Sequence, residues 1–68
     1  METFGIILRK LRKEYNLSQQ KLSGYIDVTQ QCISEWEKGN MEPTLSNLIK
    51  LADVFDVSID FLAGRKDY

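Results

Sequence analysis

The sequence predicts an all-α fold, a compact five-helix domain over residues 1–64 followed by a short polar tail at 65–68. Three observations predict it. Apolar residues recur with helical period and nowhere alternate as they would along a strand. Ser18, Thr29, Thr44 and Ser58 each stand directly before such a stretch, where a hydroxyl accepts from the unpaired N–H groups of a first turn. The chain has 68 residues, enough for one small domain and its core and no more.

The first helix runs from Glu2 to Tyr15, with Phe4, Leu8, Leu11 and Tyr15 on one face. Asn16 follows it and tolerates the left-handed conformation that closes a helix. The basic residues of its second half, Arg9, Lys10, Arg12 and Lys13, complement the negative end of the helix dipole. Ser18 caps a second helix, Gln19 to Ile26, whose inward residues are Leu22 and Ile26. Of the glycines, Gly24 alone is read inside a helix, at about 1 kcal/mol relative to Ala. Asp27-Val28 makes a break, and Thr29 caps a third helix, Gln30 to Lys38, which places Ile33, Trp36 and Glu37 on one face and stops at Gly39. Helices this short hold only when packed against one another. After the Asn40-Met41-Glu42-Pro43 loop, Thr44 caps a fourth helix with the stripe Leu45, Leu48, Ile49, Ala52 and Phe55. Ser58 caps the last, Ile59 to Leu62, with Asp60 at the favourable dipole end. Ile6 and Ile7 are adjacent and cannot share one narrow stripe, so one of them is expected to meet a partner.

Composition excludes most chemistry. There is no His and a single Cys, Cys32, so no internal disulfide, no Cys/His zinc site and no Ser-His or Cys-His nucleophile pair can form, and neither metal nor cofactor is expected. Glu35 and Glu37 lie two residues apart on one helix and point to different faces, which rules them out as an acid-base pair. No apolar run approaches the roughly 20 residues that span a bilayer, and a lone thiol suits a reducing compartment, so a cytoplasmic protein without membrane contact is expected. A redox role for Cys32 is disfavoured, because no cation stands beside it and Glu35 is one turn away.

Charge is polarised behind a formal net value of −1. Residues 1–21 hold five Lys or Arg against two acids, for +3, whereas residues 22–68 hold four against eight, for −4. A phosphate-facing surface is therefore possible near the start of the chain.

The stretch from Gln19 to Trp36 has the layout of a helix-turn-helix, two short capped helices joined by a tight turn, with Ser23 small at the crossing. Such a pair packs through one face and leaves the other face of its second helix exposed, here Gln30, Gln31, Ser34 and Glu35. Gln offers a donor and an acceptor that match adenine N6 and N7, and Glu accepts from cytosine N4. Over Gly5 to Leu62 the chain resembles the lambda-repressor-like helix-turn-helix regulators of phage and bacteria. The likeness rests on Leu11-Arg12, Leu17-Ser18-Gln19, Leu22, Val28-Thr29, Ile33, Glu37-Lys38-Gly39, Pro43-Thr44 and Leu48 to Ala52. Thr29 to Ile33 is similar to the recognition helix of a phage repressor in that family.

The resemblance implies a double-stranded DNA partner with a palindromic operator, read by Gln30, Gln31, Ser34 and Glu35. It implies phosphate contacts from Arg9, Ser18, Gln19 and Thr29, and from Lys38, Asn40 and Asn47. It further implies an Arg12 to Glu37 ion pair and a homodimer through Val57, Ile59 and Phe61, with no small-molecule effector evident. The sequence departs from the family pattern in having Asp27 where the turn usually has Gly, Ser23 for the usual Ala, Glu35 at the third reading position, and a loop after the third helix that is not basic. These departures predict a modest binder that depends on dimerisation. Two functional readings follow. One is a sequence-specific transcriptional regulator, a repressor, working on an inverted repeat, as a whole chain or as part of a longer regulator. The other is a protein-interaction module such as an antitoxin, in which DNA binding is secondary and the acidic remainder faces a protein.

Overall fold

The computed structural model describes residues 2–65. Its elements are α1 (Glu2–Glu14), α2 (Gln19–Ile26), α3 (Gln30–Lys38), α4 (Leu45–Phe55) and α5 (Ile59–Leu62). The proposed tail at 65–68 lies outside the described residues except for Arg65.

Each boundary has a local cause. Ser18, Thr29, Thr44 and Ser58 adopt extended backbone and accept from the N–H three residues on, that of Lys21, Cys32, Asn47 and Phe61 respectively. Asn16, Asp27, Gly39 and Asp56 turn left-handed and end the preceding segments. Asp27 thus adopts the conformation for which Gly is the usual residue, with φ 59° and ψ 48°, and its N–H donates to Ser23 O.

The core is built from Phe4, Leu8 and Leu11 of α1, Leu22 and Ile26 of α2, Ile33 and Trp36 of α3, Leu51, Ala52 and Phe55 of α4, and Leu62 of α5. Phe4 meets Trp36 edge to face at 6.1 Å between ring centroids. The Trp36 indole N–H is buried without a hydrogen-bond partner. Tyr15, expected on the inward stripe, is about half exposed, but its ring sits edge-on to Phe55 at 5.1 Å and its hydroxyl donates to Phe55 O at 2.9 Å. That contact satisfies one of the unpaired carbonyls at the end of α4.

Two expectations are corrected and a third is narrowed. Leu45 and Ile49 of α4 are exposed, and Leu51 takes the buried place. Apolar residues stand at 45, 48, 49, 51, 52, 54 and 55, so two overlapping stripes have helical period and only the position of the neighbouring helices selects between them. Gly5 lies inside α1, where α1 crosses α3 so closely that a Cβ would stand 2.3 Å from Trp36 O and 3.0 Å from Glu37 O. Ile6 faces solvent whereas Ile7 packs against the core, so of the two only Ile6 is free for a partner.

Candidate nucleic-acid interface

α2 and α3 pack against each other through Leu22, Ile26, Ile33 and Trp36. Ser23, buried between them, turns its hydroxyl back to Gln20 O at 2.6 Å, which satisfies that hydroxyl at the crossing. The opposite side of α3 meets the start of α2 in a shallow open concavity lined by Gln19, Gln30, Gln31, Ser34, Glu35 and Lys38. All four residues read from the sequence as base-facing are therefore on one surface. Gln30 and Gln31 are exposed; Ser34 and Glu35 are half-buried.

The residues expected at phosphates are more scattered. Gln19 and Lys38 line the concavity. Ser18 and Thr29 occupy the N-caps of α2 and α3, so each brings its hydroxyl to a helix end whose unpaired N–H groups favour anions. Arg9 is exposed on α1, and Asn47 sits half-buried in the first turn of α4; neither lines the concavity. Val57, Ile59 and Phe61, expected at a dimer interface, are half-buried and pack on the edge of the core.

Beneath the surface lies a charged pair. Arg12 Nε donates to Glu37 Oε2 at 2.7 Å and Nη2 to Oε1 at 3.1 Å, a two-pronged contact, while Nη1 donates to Leu17 O at 2.8 Å. The side chains are 12% and 5% exposed. The hydrogen bonds that Arg12 donates to Glu37 hold its pKa above the ordinary value, against the lowering effect of burial. Gln19 Nε2 donates to Glu37 Oε1 at 3.1 Å, so the residue expected at a phosphate is also tied to this pair.

At the far end of α3, the N–H groups of Gly39 and Asn40 both reach Glu35 O, and Asn40 Nδ2 donates to Glu35 Oε2 at 3.2 Å. Lys38 Nζ is 4.0 Å from the same oxygen. Asn40 and Lys38, both expected at phosphates, thus gather on the Glu35 carboxylate. The Gln19 and Asn40 contacts were not read from the sequence. The first links residues 18 apart and leaves no local signal, whereas the second follows from the left-handed Gly39 turn and was accessible to turn geometry. Cys32 is half-buried in α3, and burial pushes its thiol pKa up. Among the described residues no group of three or more Cys, Asp or Glu could hold a metal ion, and no helix is long and apolar enough to cross a membrane.

The helix-turn-helix family pattern matches residues 8–62. The chain belongs to the helix-turn-helix family. It is 39% identical over 59 residues to the SPbeta prophage-derived HTH-type transcriptional regulator YonR of Bacillus subtilis, covering 87% of this chain and 55% of that protein. It is 36% identical over 58 residues to the cryptic phage CTXphi transcriptional repressor RstR of Vibrio cholerae, covering 85% and 52%. This helix-turn-helix chain thus spans about half the length of such relatives. In three dimensions it is similar to the P22 c2 repressor crystallised with a synthetic operator, at a TM-score of 0.89 and 29% identity over 97% of this chain and 100% of that one. The likeness to repressor domains matches the five-helix fold expected from the sequence. These relatives are transcriptional regulators and repressors by name.

Proposed function

We propose that the chain is a sequence-specific double-stranded DNA-binding transcriptional regulator, a repressor, that inserts α3 into the major groove of an inverted-repeat operator as a homodimer. The observation that carries the reading is the row of Gln30, Gln31, Ser34 and Glu35 along one open surface beside the capped start of α2. The N-terminal end of α2, with Ser18 and Gln19, approaches a phosphate while Gln30 and Gln31 meet adenine edges. Arg9, Thr29, Lys38 and Asn47 add phosphate contacts that fix the register without carrying sequence information. The dimer forms through Val57, Ile59 and Phe61, and sets half-site centres about one helical turn apart. The protein works in the cytoplasm, and no effector is needed for the geometry described.

The experiment is selection from a pool of random duplexes, at low and at physiological salt, followed by titration of the recovered sequence. A palindromic motif with adenines in each half-site is expected, and Gln30→Ala and Gln31→Ala should each weaken binding by about 1 to 3 kcal/mol. Unchanged binding by both variants would remove the base-reading assignment. The net −4 over residues 22–68 favours a second reading, a protein-interaction module. Recovery of no duplex, with a stoichiometric protein partner on purification from the native cell, would establish it instead.

A further inference from the structure

We propose that Asn40 is a positioning residue whose side chain holds the Glu35 carboxylate as a fixed acceptor, so that the third reading position of α3 selects cytosine. The inference rests on the DNA-reading assignment above and names the base that assignment leaves open. Three contacts carry it. The left-handed turn at Gly39 brings the Asn40 backbone N–H onto Glu35 O at 3.0 Å, which anchors residue 40 two residues beyond the end of α3. From there Asn40 Nδ2 donates to Glu35 Oε2 at 3.2 Å. Lys38 Nζ stands 4.0 Å from the same oxygen and offsets its charge.

The carboxylate, 26% exposed on its side chain, is thus held through one oxygen at the rim of the concavity, and Oε1 takes part in none of these contacts. An ionised carboxylate only accepts. In the major groove guanine presents O6 and N7 and thymine presents O4, all acceptors, which a fixed acceptor repels. Adenine presents an N6 donor beside an N7 acceptor, so its attraction is partly cancelled. Cytosine presents the N4 donor with no acceptor beside it. Unlike a mobile Glu, which could swing away from a mismatched base, one held by Asn40 keeps its repulsion in place. On this argument Asn40 is not available to phosphate through its amide.

The test uses the selected operator and its variants with each of the four bases at the position facing residue 35, bound by the wild-type chain, Asn40→Ala and Glu35→Gln. The wild type should prefer cytosine by roughly tenfold. Asn40→Ala keeps the backbone hydrogen bond that closes α3; it should lower that preference several-fold while leaving the salt dependence of binding unchanged. Glu35→Gln should move the preference to adenine. A phosphate role for Asn40 gives the opposite signature, with equal weakening on all four duplexes and a salt slope flatter by about one. That result, or a wild-type operator without cytosine at this position, would overturn the proposal and leave DNA reading by Gln30 and Gln31 standing. If no duplex is recovered at all, or if Gln30→Ala and Gln31→Ala change nothing, the underlying assignment falls and this one with it.

Discussion

Removing one member of the Arg12 and Glu37 pair should be the most damaging polar substitution in the chain. The two side chains are 12% and 5% exposed and share two hydrogen bonds of 2.7 and 3.1 Å. Taking each ion out of water costs several kcal/mol, and the mutual attraction at this separation offsets most of that, so the pair itself contributes little net stability. Losing one partner is different. Arg12→Met leaves Glu37 buried with only the Gln19 amide, and also strips Leu17 O of its donor. Glu37→Leu leaves the guanidinium with Leu17 O alone. Each should cost about 3 to 5 kcal/mol. A domain of this size has roughly 3 to 10 kcal/mol in total, so either variant stands near its unfolding threshold at room temperature. The double variant leaves no unpaired ion and should be more stable than the sum of the singles implies, by about 2 kcal/mol or more. Urea unfolding followed by the fluorescence of Trp36, the single tryptophan and fully buried, gives the free energies, with far-ultraviolet circular dichroism as a second probe. Arg12→Lys, which keeps the charge but not the fork, supplies a folded intermediate case. Single losses below about 1 kcal/mol, or a double variant additive within about 0.5 kcal/mol, would refute the argument.

Two glycines inside helices should respond to Ala in opposite directions. At Gly24 a Cβ meets nothing within 4 Å, so Gly24→Ala should stabilise by up to about 1 kcal/mol, a rise of several degrees in Tm by calorimetry. At Gly5 the same change drives a Cβ onto Trp36 O at 2.3 Å, so Gly5→Ala should destabilise by about 1 to 3 kcal/mol; a higher Tm would disprove the close crossing. Burial raises the Cys32 pKa, so the folded state holds the thiol proton more tightly than the unfolded chain does. This contribution is fully present below the unfolded thiol pKa and is lost as pH rises through the higher folded value. Thiolate absorbance should accordingly develop at lower pH in urea than in buffer, and coincident titrations would contradict it.

What was legible in the sequence was what neighbouring residues decide. Ser18, Thr29, Thr44 and Ser58 cap helices because a hydroxyl reaches an N–H three residues away, a relation contained in the local chain. Asp27 and Asn16 turn left-handed for equally local reasons. The exposed row on α3 follows from helical period once Ile33 and Trp36 are placed inward. By contrast, the α4 stripe, the crossing at Gly5 and the bond from Gln19 to Glu37 depend on which element lies opposite, which no window of sequence contains. Leu45 and Ile49 illustrate the difference. They satisfy the period as well as Leu51 does, and tertiary packing alone leaves them in solvent.

The same through-space contacts account for how a chain of net charge −1 keeps one helix approachable by a polyanion. The glutamates of α3, Glu35 and Glu37, lie on different faces, and each has its own neutralising group. Glu37 turns inward onto Arg12 and helps to hold Gln19, while Glu35 turns outward and is engaged by Asn40 and Lys38. Arg12 therefore contributes to the frame and not to phosphate attraction, which leaves Arg9, Lys10, Lys13 and Lys21 as the bases of the positive segment with no ion pair among the described residues. Since each phosphate neutralised adds about 0.9 to the salt slope, attraction from so few bases is modest in a single protomer. On the proposed reading, binding strength comes from pairing two protomers on one operator, and specificity from side chains whose positions are fixed before DNA arrives. The second requirement falls on α3 and the buried pair beneath it, which fixes α3 against α1 and steadies Gln19 at the edge of the concavity, whereas pairing falls on the proposed interface of Val57, Ile59 and Phe61.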